Sequence, residues 1–343
     1  MTGPTVRKGG FSVRVDVRAT LVCAGLLLVA SGVSVVLVGT GDYRIAPLDV
    51  LRTLAGHGTA GQRFVVRDLR LPRVAVALLI GSALGMAGAA FQTVSRNPLG
   101  SPDVIGFGQG SAAGALTVIV LLKGPAWQVS AGAVAGGLLT GLAVFLLARR
   151  EGAHGYRLVL VGIGASAVLS AVNSYLLVKA DFVDVARAVV WLTGSLDGRD
   201  WNQVWPLLGA CTALMPVLLA QGRALRMTEM GEDTARALGV RVERVRVTVV
   251  LAAVLLTAAA TAAAGPIAFV ALTAPQLARR LTRSPGVCLL PSALMGAALL
   301  ATADLCAQHA TGSGGLPVGV ATGVLGGAYL LWLLVAERRA GRI

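Results

Sequence analysis

The sequence is short of charge. Only 13% of its 343 residues are Asp, Glu, Lys or Arg, about half the share found in ordinary soluble domains, which is near 25%. Acids are scarcest, 16 against 30 basic residues, and the only lysines are Lys8, Lys123 and Lys179. None of them precedes Ser or Thr, so there is no GxxxxGK[ST] phosphate loop and no ATP binding by that route. Aromatic residues make up 5%. The four cysteines, Cys23, Cys211, Cys288 and Cys306, lie in apolar runs without CxxC spacing and without a histidine partner placed to suggest a metal site. That excludes the usual zinc patterns and makes them small buried apolar residues.

What remains is apolar. Hydrophobic residues are 55% of the chain and glycines number 44. One water-soluble core cannot hide so much apolar surface, whereas helices in lipid need no polar cover, so the composition predicts an all-α polytopic membrane protein. A porin-like barrel, built from short alternating segments, does not fit. Apolar windows fall at 19–39, 71–93, 103–123, 126–148, 156–178, 203–221, 245–264, 266–281, 286–308 and 316–336. Ten spans result, in one transmembrane domain covering 1–343. The 266–281 window is the weakest, because it is short and contains Pro275, and Gly265-Pro266 leaves almost no loop before it. A re-entrant or protein-buried segment suits it better. The first run follows Arg7, Lys8, Arg14 and Arg18 as a signal peptide would, but its length favours a retained span.

The net charge of +14 is distributed over short loops, which argues against nucleic-acid binding. With the N-terminus inside, twenty of the 30 basic residues fall on inner segments, as the positive-inside rule asks, and the C-terminus is inside too. The exception is the loop between the first two spans, which holds Arg44, Arg52, Arg63, Arg67, Arg70 and Arg73. Small-xxx-small spacings at Gly81/Gly85, Gly110/Gly114, Gly132/Gly136, Gly137/Gly141, Gly319/Gly323 and Gly323/Gly327 predict close helix packing within the chain, with a dimer seam as the alternative. A weak likeness between 74–90 and 247–264 hints at duplicated halves.

Ion-coupled carriers place acids or histidines near the bilayer midplane. Here only Asp304 lies clearly within a span, near its outer end, while Asp103 sits in the first turn of a helix that Ser101 can cap. Gln92, Asn173 and Gln308 read as interhelical hydrogen-bonding residues. An intramembrane enzyme would need paired acids, a histidine cluster or a nucleophile with a base, and none is evident. Attention turns to the longest inner loop, 222–244, whose centre from Glu232 to Leu238 favours a short helix ended by Gly239. It reads either as a solvated connector or as a docking element for a separate cytoplasmic engine.

Ordered blocks then bring a family into view. Arg70-Leu-Pro-Arg73, Gly81 to Gln92 and the run from Asn97-Pro98 to Gly110 come first. Gly231-Glu-Asp-Thr-Ala-Arg-Ala-Leu-Gly-Val240 follows, then Gly265-Pro266 through Pro275-Gln276 to Arg279, then Leu316-Pro-Val-Gly-Val320. Over about 65–336 the chain resembles the FecCD family, the permeases of ABC importers for iron-siderophores, haem and cobalamin. It departs from the pattern at Gln276, where many members have His, and at Gly100, where Ala is common. The Pro-Gln version is similar to permeases for ferric catecholate and related siderophores. The outer loop 309–315 has no Arg, and His309 is its only ionisable residue.

The resemblance implies a type II (BtuC-like) ABC importer permease in the bacterial inner membrane, multi-pass, with cytoplasmic termini. It carries no catalytic residue, metal or cofactor of its own, since ATP and Mg2+ bind a partner ATPase dimer. A second permease, identical or homologous, completes the pathway, an extracytoplasmic binding protein delivers the cargo, and a ferric siderophore is the cargo itself. By the same resemblance Gly231, Glu232, Ala235, Leu238, Gly239 and Val240 dock the ATPase, with 222–244 as the coupling loop. Arg70 and Arg73 meet acidic residues of the binding protein, while Asn97, Pro98, Gly265, Pro266, Pro275 and Gln276 form structural motifs near the pathway. The alternative class is an ion-coupled secondary transporter of a small molecule.

Overall fold

The computed structural model describes residues 5–8, 11–14, 16–41, 43–149, 155–284, 286–310 and 316–339. Most of the outer loop 309–315, together with Arg150 and Arg342, lies outside these residues. Two four-residue strands, β1 (Thr5–Lys8) and β2 (Phe11–Arg14), pair antiparallel ahead of the first helix. Everything after them is helical: α1 Val17–Gly39, α2 Pro47–Leu54, α3 Ala60–Phe64, α4 Leu71–Ser95, α5 Gly108–Leu116, α6 Ala126–Arg149, α7 Gly155–Lys179 and α8 Phe182–Leu192. There follow α9 Trp201–Ala220, α10 Gly222–Glu229, α11 Glu232–Ala237, α12 Val242–Ala264, α13 Val270–Thr282, α14 Leu289–Ala310 and α15 Val318–Arg339. Wider π-helical turns at Val65–Arg70, Asp103–Phe107 and Thr117–Leu122 extend α4 and α5 without a break.

Seven of the described helices are long and apolar enough to cross a membrane, and Gly108–Leu122 and Val318–Trp332 are shorter apolar helices. The helix count exceeds ten because the stretches between apolar windows fold as well. Residues 40–70 hold α2 and α3, each begun by a local signal: Pro47 opens α2, and Thr59 with Gln62 forms a capping box on α3. Residues 179–202 hold α8, which Lys123 holds at its start through Asp181 (2.9 Å) and Asp184 (3.5 Å). Residues 222–244 hold two helices where one is expected.

The core is centred on α4. Gly81 and Gly85 lie against the backbone of Gly296 and Ser292 in α14, so close that a Cβ on either glycine would overlap a carbonyl oxygen. Gly110 and Gly114 meet Gly136 and Gly132 of α6 in the same way. These glycines act within the chain, where lipid supplies no hydrophobic drive and close van der Waals packing takes its place. Gly323 and Gly327 of α15 have open space where a Cβ would go. The helices that share the suggested internal likeness, α4 and α12, pack on each other through buried residues including Ala83, Ala87, Ala253 and Ala260.

Several polar expectations change. Asn173 donates to the Gln109 carbonyl (3.2 Å) and Gln92 to the Leu272 carbonyl (3.0 Å), both across helices, whereas Gln308 bonds Asp304 within α14. Ser101 does not cap the helix at Asp103: Pro102 occupies the cap position, with no side-chain cap bond. Cys211 and Cys288 are buried as expected, but Cys23 is only half-buried and Cys306 is exposed, because it sits on the outward side of α14.

The weak window 266–281 breaks for a visible reason. Gly265 closes α12 at φ +80°, Pro266 cannot donate, and Phe269 starts α13 at φ +68°, leaving a helix of 13 residues. The non-helical backbone is satisfied inside the protein, where Ser195 N–H bonds the Ala264 carbonyl at 2.9 Å.

Candidate functional site

At the end of the bundle expected to face inward, the chain leaves α9 through α10 and turns sharply into α11. Gly231 takes φ +118° and Gly239 φ +84°, a region closed to most L-residues. Around Gly239 there is open space, so its requirement is the backbone angle and not close approach. Glu232 and Asp233 stand in the first turn of α11, where carboxylates complement the helix dipole. Ala235 is fully buried beneath the helix, while Leu238 and, just ahead of it, Met230 are exposed at 60% and 71%. The Val240 N–H bonds the Ala235 carbonyl and closes the turn. Glu232 faces inward, 2.5 Å from Arg246 and 3.1 Å from Arg236, with Arg96 at 3.7 Å. Of the six residues expected to dock an ATPase, Leu238 offers an exposed side chain, Ala235 and Glu232 face the chain itself, and Gly231 and Gly239 shape the turn.

Beside this element lies a polar cluster built from the motif residues. Asn97 accepts the Leu99 N–H at 2.9 Å, a local turn that presents the Pro98 carbonyl to Gln276 at 2.7 Å. Gln276 also reaches Gln92 Oε1 (3.3 Å), as does Arg279 (3.2 Å). The residue that replaces the common histidine therefore links α13 to the end of α4. Burial pushes the nearby Glu229 carboxyl above its usual range, with Arg279 and Arg226 opposing the shift. Pro275 is buried within α13 and has no N–H for the Ala271 carbonyl, which instead rests against Gly88 of α4. Gly265 and Pro266 lie far along the fold, at the α12 to α13 break, against Gly194 and the Trp191 carbonyl.

At the opposite end the two expected docking arginines are engaged within the chain. Arg70 donates to the carbonyls of Val38 and Tyr43, both at 2.8 Å. Arg73 grips Asp304 with two bonds, 3.0 and 2.7 Å, and also pairs with Asp197. Asp304 is completely buried, so it needs this cation, and Gln308 donates to it at 3.0 Å as well. Arg70 and Arg73, the residues expected to meet a binding protein, also brace α4 to α1 and α14. Beside them a cavity of about 380 Å³ is lined by Asp68, Arg70, Arg73, Arg199, Asp200 and Gln308. Burial pulls Arg199 below the usual guanidinium range, with Asp197 and Asp200 opposing. Sequence reading missed the partners Asp197, Arg246 and Arg96. A usable signal was present for one pair only, since Arg73 and Asp304 were both placed at the outer membrane end.

These features define a class: a multi-pass helical membrane protein with a small helical element at one end of the bundle and a buried ion pair at the other. The chain belongs to the FecCD transport family, which matches residues 18–336. It is 46% identical over 300 residues to the ferric enterobactin transport system permease protein FepG of Escherichia coli strain K12, covering 88% of this chain and 91% of that one. To the iron(3+)-hydroxamate import system permease protein FhuG of Bacillus subtilis strain 168 it is 37% identical over 304 residues, covering 86% and 90%. Among solved structures it is similar to a chain described as a metal-chelate type ABC transporter in an inward-facing conformation. That likeness has a TM-score of 0.82 at 27% identity and covers 93% of this chain and 99% of that one.

Proposed function

We propose that this chain is the permease subunit of an ATP-driven importer of ferric siderophores in the bacterial inner membrane. Two permeases form the pathway, an ATPase dimer binds below with ATP and Mg2+, and an extracytoplasmic binding protein delivers cargo from above. The observation that carries this reading is α11: a short, shaped helix at the inner face whose neighbours Met230 and Leu238 expose apolar side chains to a partner. The chain has no phosphate loop of its own, so the partner must supply hydrolysis. Relatives that are permeases for ferric enterobactin and iron-hydroxamate support the cargo class.

The mechanism is alternating access. ATP closes the ATPase dimer, α11 receives that movement, and the permeases rock about the pathway between them. Within the chain, the close glycine contacts make α4 and α14 move as one unit, and Arg73 clamps their outer ends. The carrier alternative requires a titratable group free to cycle, and Asp304, neutralised by Arg73, is not one. Binding-protein docking belongs to the outer face around the cavity that Arg70, Arg73 and Arg199 line. Copurification of the chain with a candidate ABC-type ATPase, followed by ATP hydrolysis in lipid, tests the assignment. An ATPase that binds and is activated supports it, and a chain that transports alone refutes it.

A further inference from the structure

We infer that Glu232 is the strut through which α11 moves the core, and is not itself a contact for the ATPase. The inference rests on the reading of α11 as the coupling element and assigns the residue that makes it work. Glu232 has the right sequence position to face a partner, yet it points back into the chain and is only 29% exposed, whereas its neighbour Asp233 is 99% exposed. Its carboxylate meets three arginines that come from three places. Arg246, 15% exposed and 2.5 Å away, belongs to the first turns of α12, where a cation opposes the helix dipole and needs a compensating anion. Arg96, the left-handed residue that ends α4, lies 3.7 Å away and also donates to the Thr228 carbonyl of α10 at 3.3 Å. Arg236, 3.1 Å away, belongs to α11 itself.

One carboxylate thus joins the short helix to the inner ends of α4 and α12. Those two helices pack on each other in the centre of the fold. The other anions nearby do not replace it: Glu243 pairs with Arg246 within α12, and Asp233 pairs with Arg236 within α11. No other ion pair among the described residues connects α11 to either core helix. Behind the cluster is a cavity of about 20 Å³ bounded by Thr93, Arg96, Thr228, Glu232, Val245 and Arg246, room for about one water. A push on α11 therefore reaches α4 and α12 through this charged joint.

The test uses the permease assembled with its ATPase in nanodiscs and compares wild type, Glu232→Gln, Arg246→Gln, the double variant and Asp233→Asn. Amide hydrogen exchange at residues 93–97 and 242–246 is read with and without ATP plus vanadate, which needs no cargo. Glu232→Gln should copurify the ATPase at wild-type stoichiometry, while the nucleotide-dependent change in exchange falls about tenfold, within the usual range of a coupling between sites. Arg246→Gln should do the same, the double variant should be no worse than either single one, and Asp233→Asn should match wild type. If Glu232→Gln does not insert, Arg246→Gln carries the comparison. Loss of the ATPase from Glu232→Gln alone would make Glu232 a docking contact and overturn the inference, as would an unchanged exchange response. A wild-type chain that binds no ATPase would refute the importer assignment itself, and the strut with it.

Discussion

Arg73 and Asp304 stand 231 residues apart in sequence and form the most consequential side-chain pair in the outer half of the molecule. Removing Arg73 alone strands a fully buried carboxylate, so Arg73→Ala should lower stability by about 3–5 kcal/mol, while Arg73→Ala with Asp304→Ala should recover a large part of the loss. Thermal unfolding in detergent measures both, and a single variant as stable as wild type would contradict the buried pair. Charge reversal at Arg73 is consequently a poor probe of docking, since it would set a carboxylate against the buried Asp304 and the exposed Asp197. Gly239 supports a second residue-scale prediction. Its φ of +84° in open space means that Gly239→Val costs about 1–3 kcal/mol of local strain without any clash. Cargo uptake should fall with membrane insertion intact, and Gly239→Asn should retain more than Gly239→Val, because Asn tolerates the left-handed region. Equal activity in all three would remove the angle from the account.

At the scale of elements, the α12 to α13 break depends on Gly265, whose φ +80° and ψ −178° are accessible essentially to glycine alone. A Cβ there would also stand 2.6 Å from the Trp191 carbonyl. Gly265→Ala should therefore reduce the yield of folded protein and its melting temperature, whereas Gly323→Ala, in open space, should leave both unchanged; equal melting temperatures would contradict this. The apolar windows and the Gly265-Pro266 step with Pro275 beyond it made long helices and this break legible, because length in lipid and missing backbone donors are local properties. The short helices α2, α3 and α8 were not legible as elements, since hydropathy does not register a helix lying outside the apolar runs. The candidate site was legible in part. The turn glycines of α11 show in sequence, but the inward rotation of Glu232 depends on Arg246 and Arg96, and no single-sequence pattern records which distant cation a carboxylate will meet.

For the whole molecule, orientation remains the conflict between six outer arginines and the positive-inside rule. The structure eases it through Arg70 and Arg73, which are held by carbonyls and carboxylates of the chain. Arg67 likewise donates to the Leu54 carbonyl at 3.2 Å. With the native cysteines removed, His57→Cys should react with impermeant thiol reagents from outside and Asp233→Cys only from inside. Labelling of both from one face would overturn the ten-span arrangement.

The central claim is that this chain moves a ferric siderophore only when a separate ATPase drives it. The direct measurement is uptake of iron-labelled siderophores, ferric enterobactin first, into proteoliposomes holding the permease, its ATPase and the binding protein. Uptake should require internal-face ATP and stop when the phosphate-loop lysine of the ATPase is replaced. Uptake that persists without the ATPase and follows a proton or sodium gradient would contradict the account.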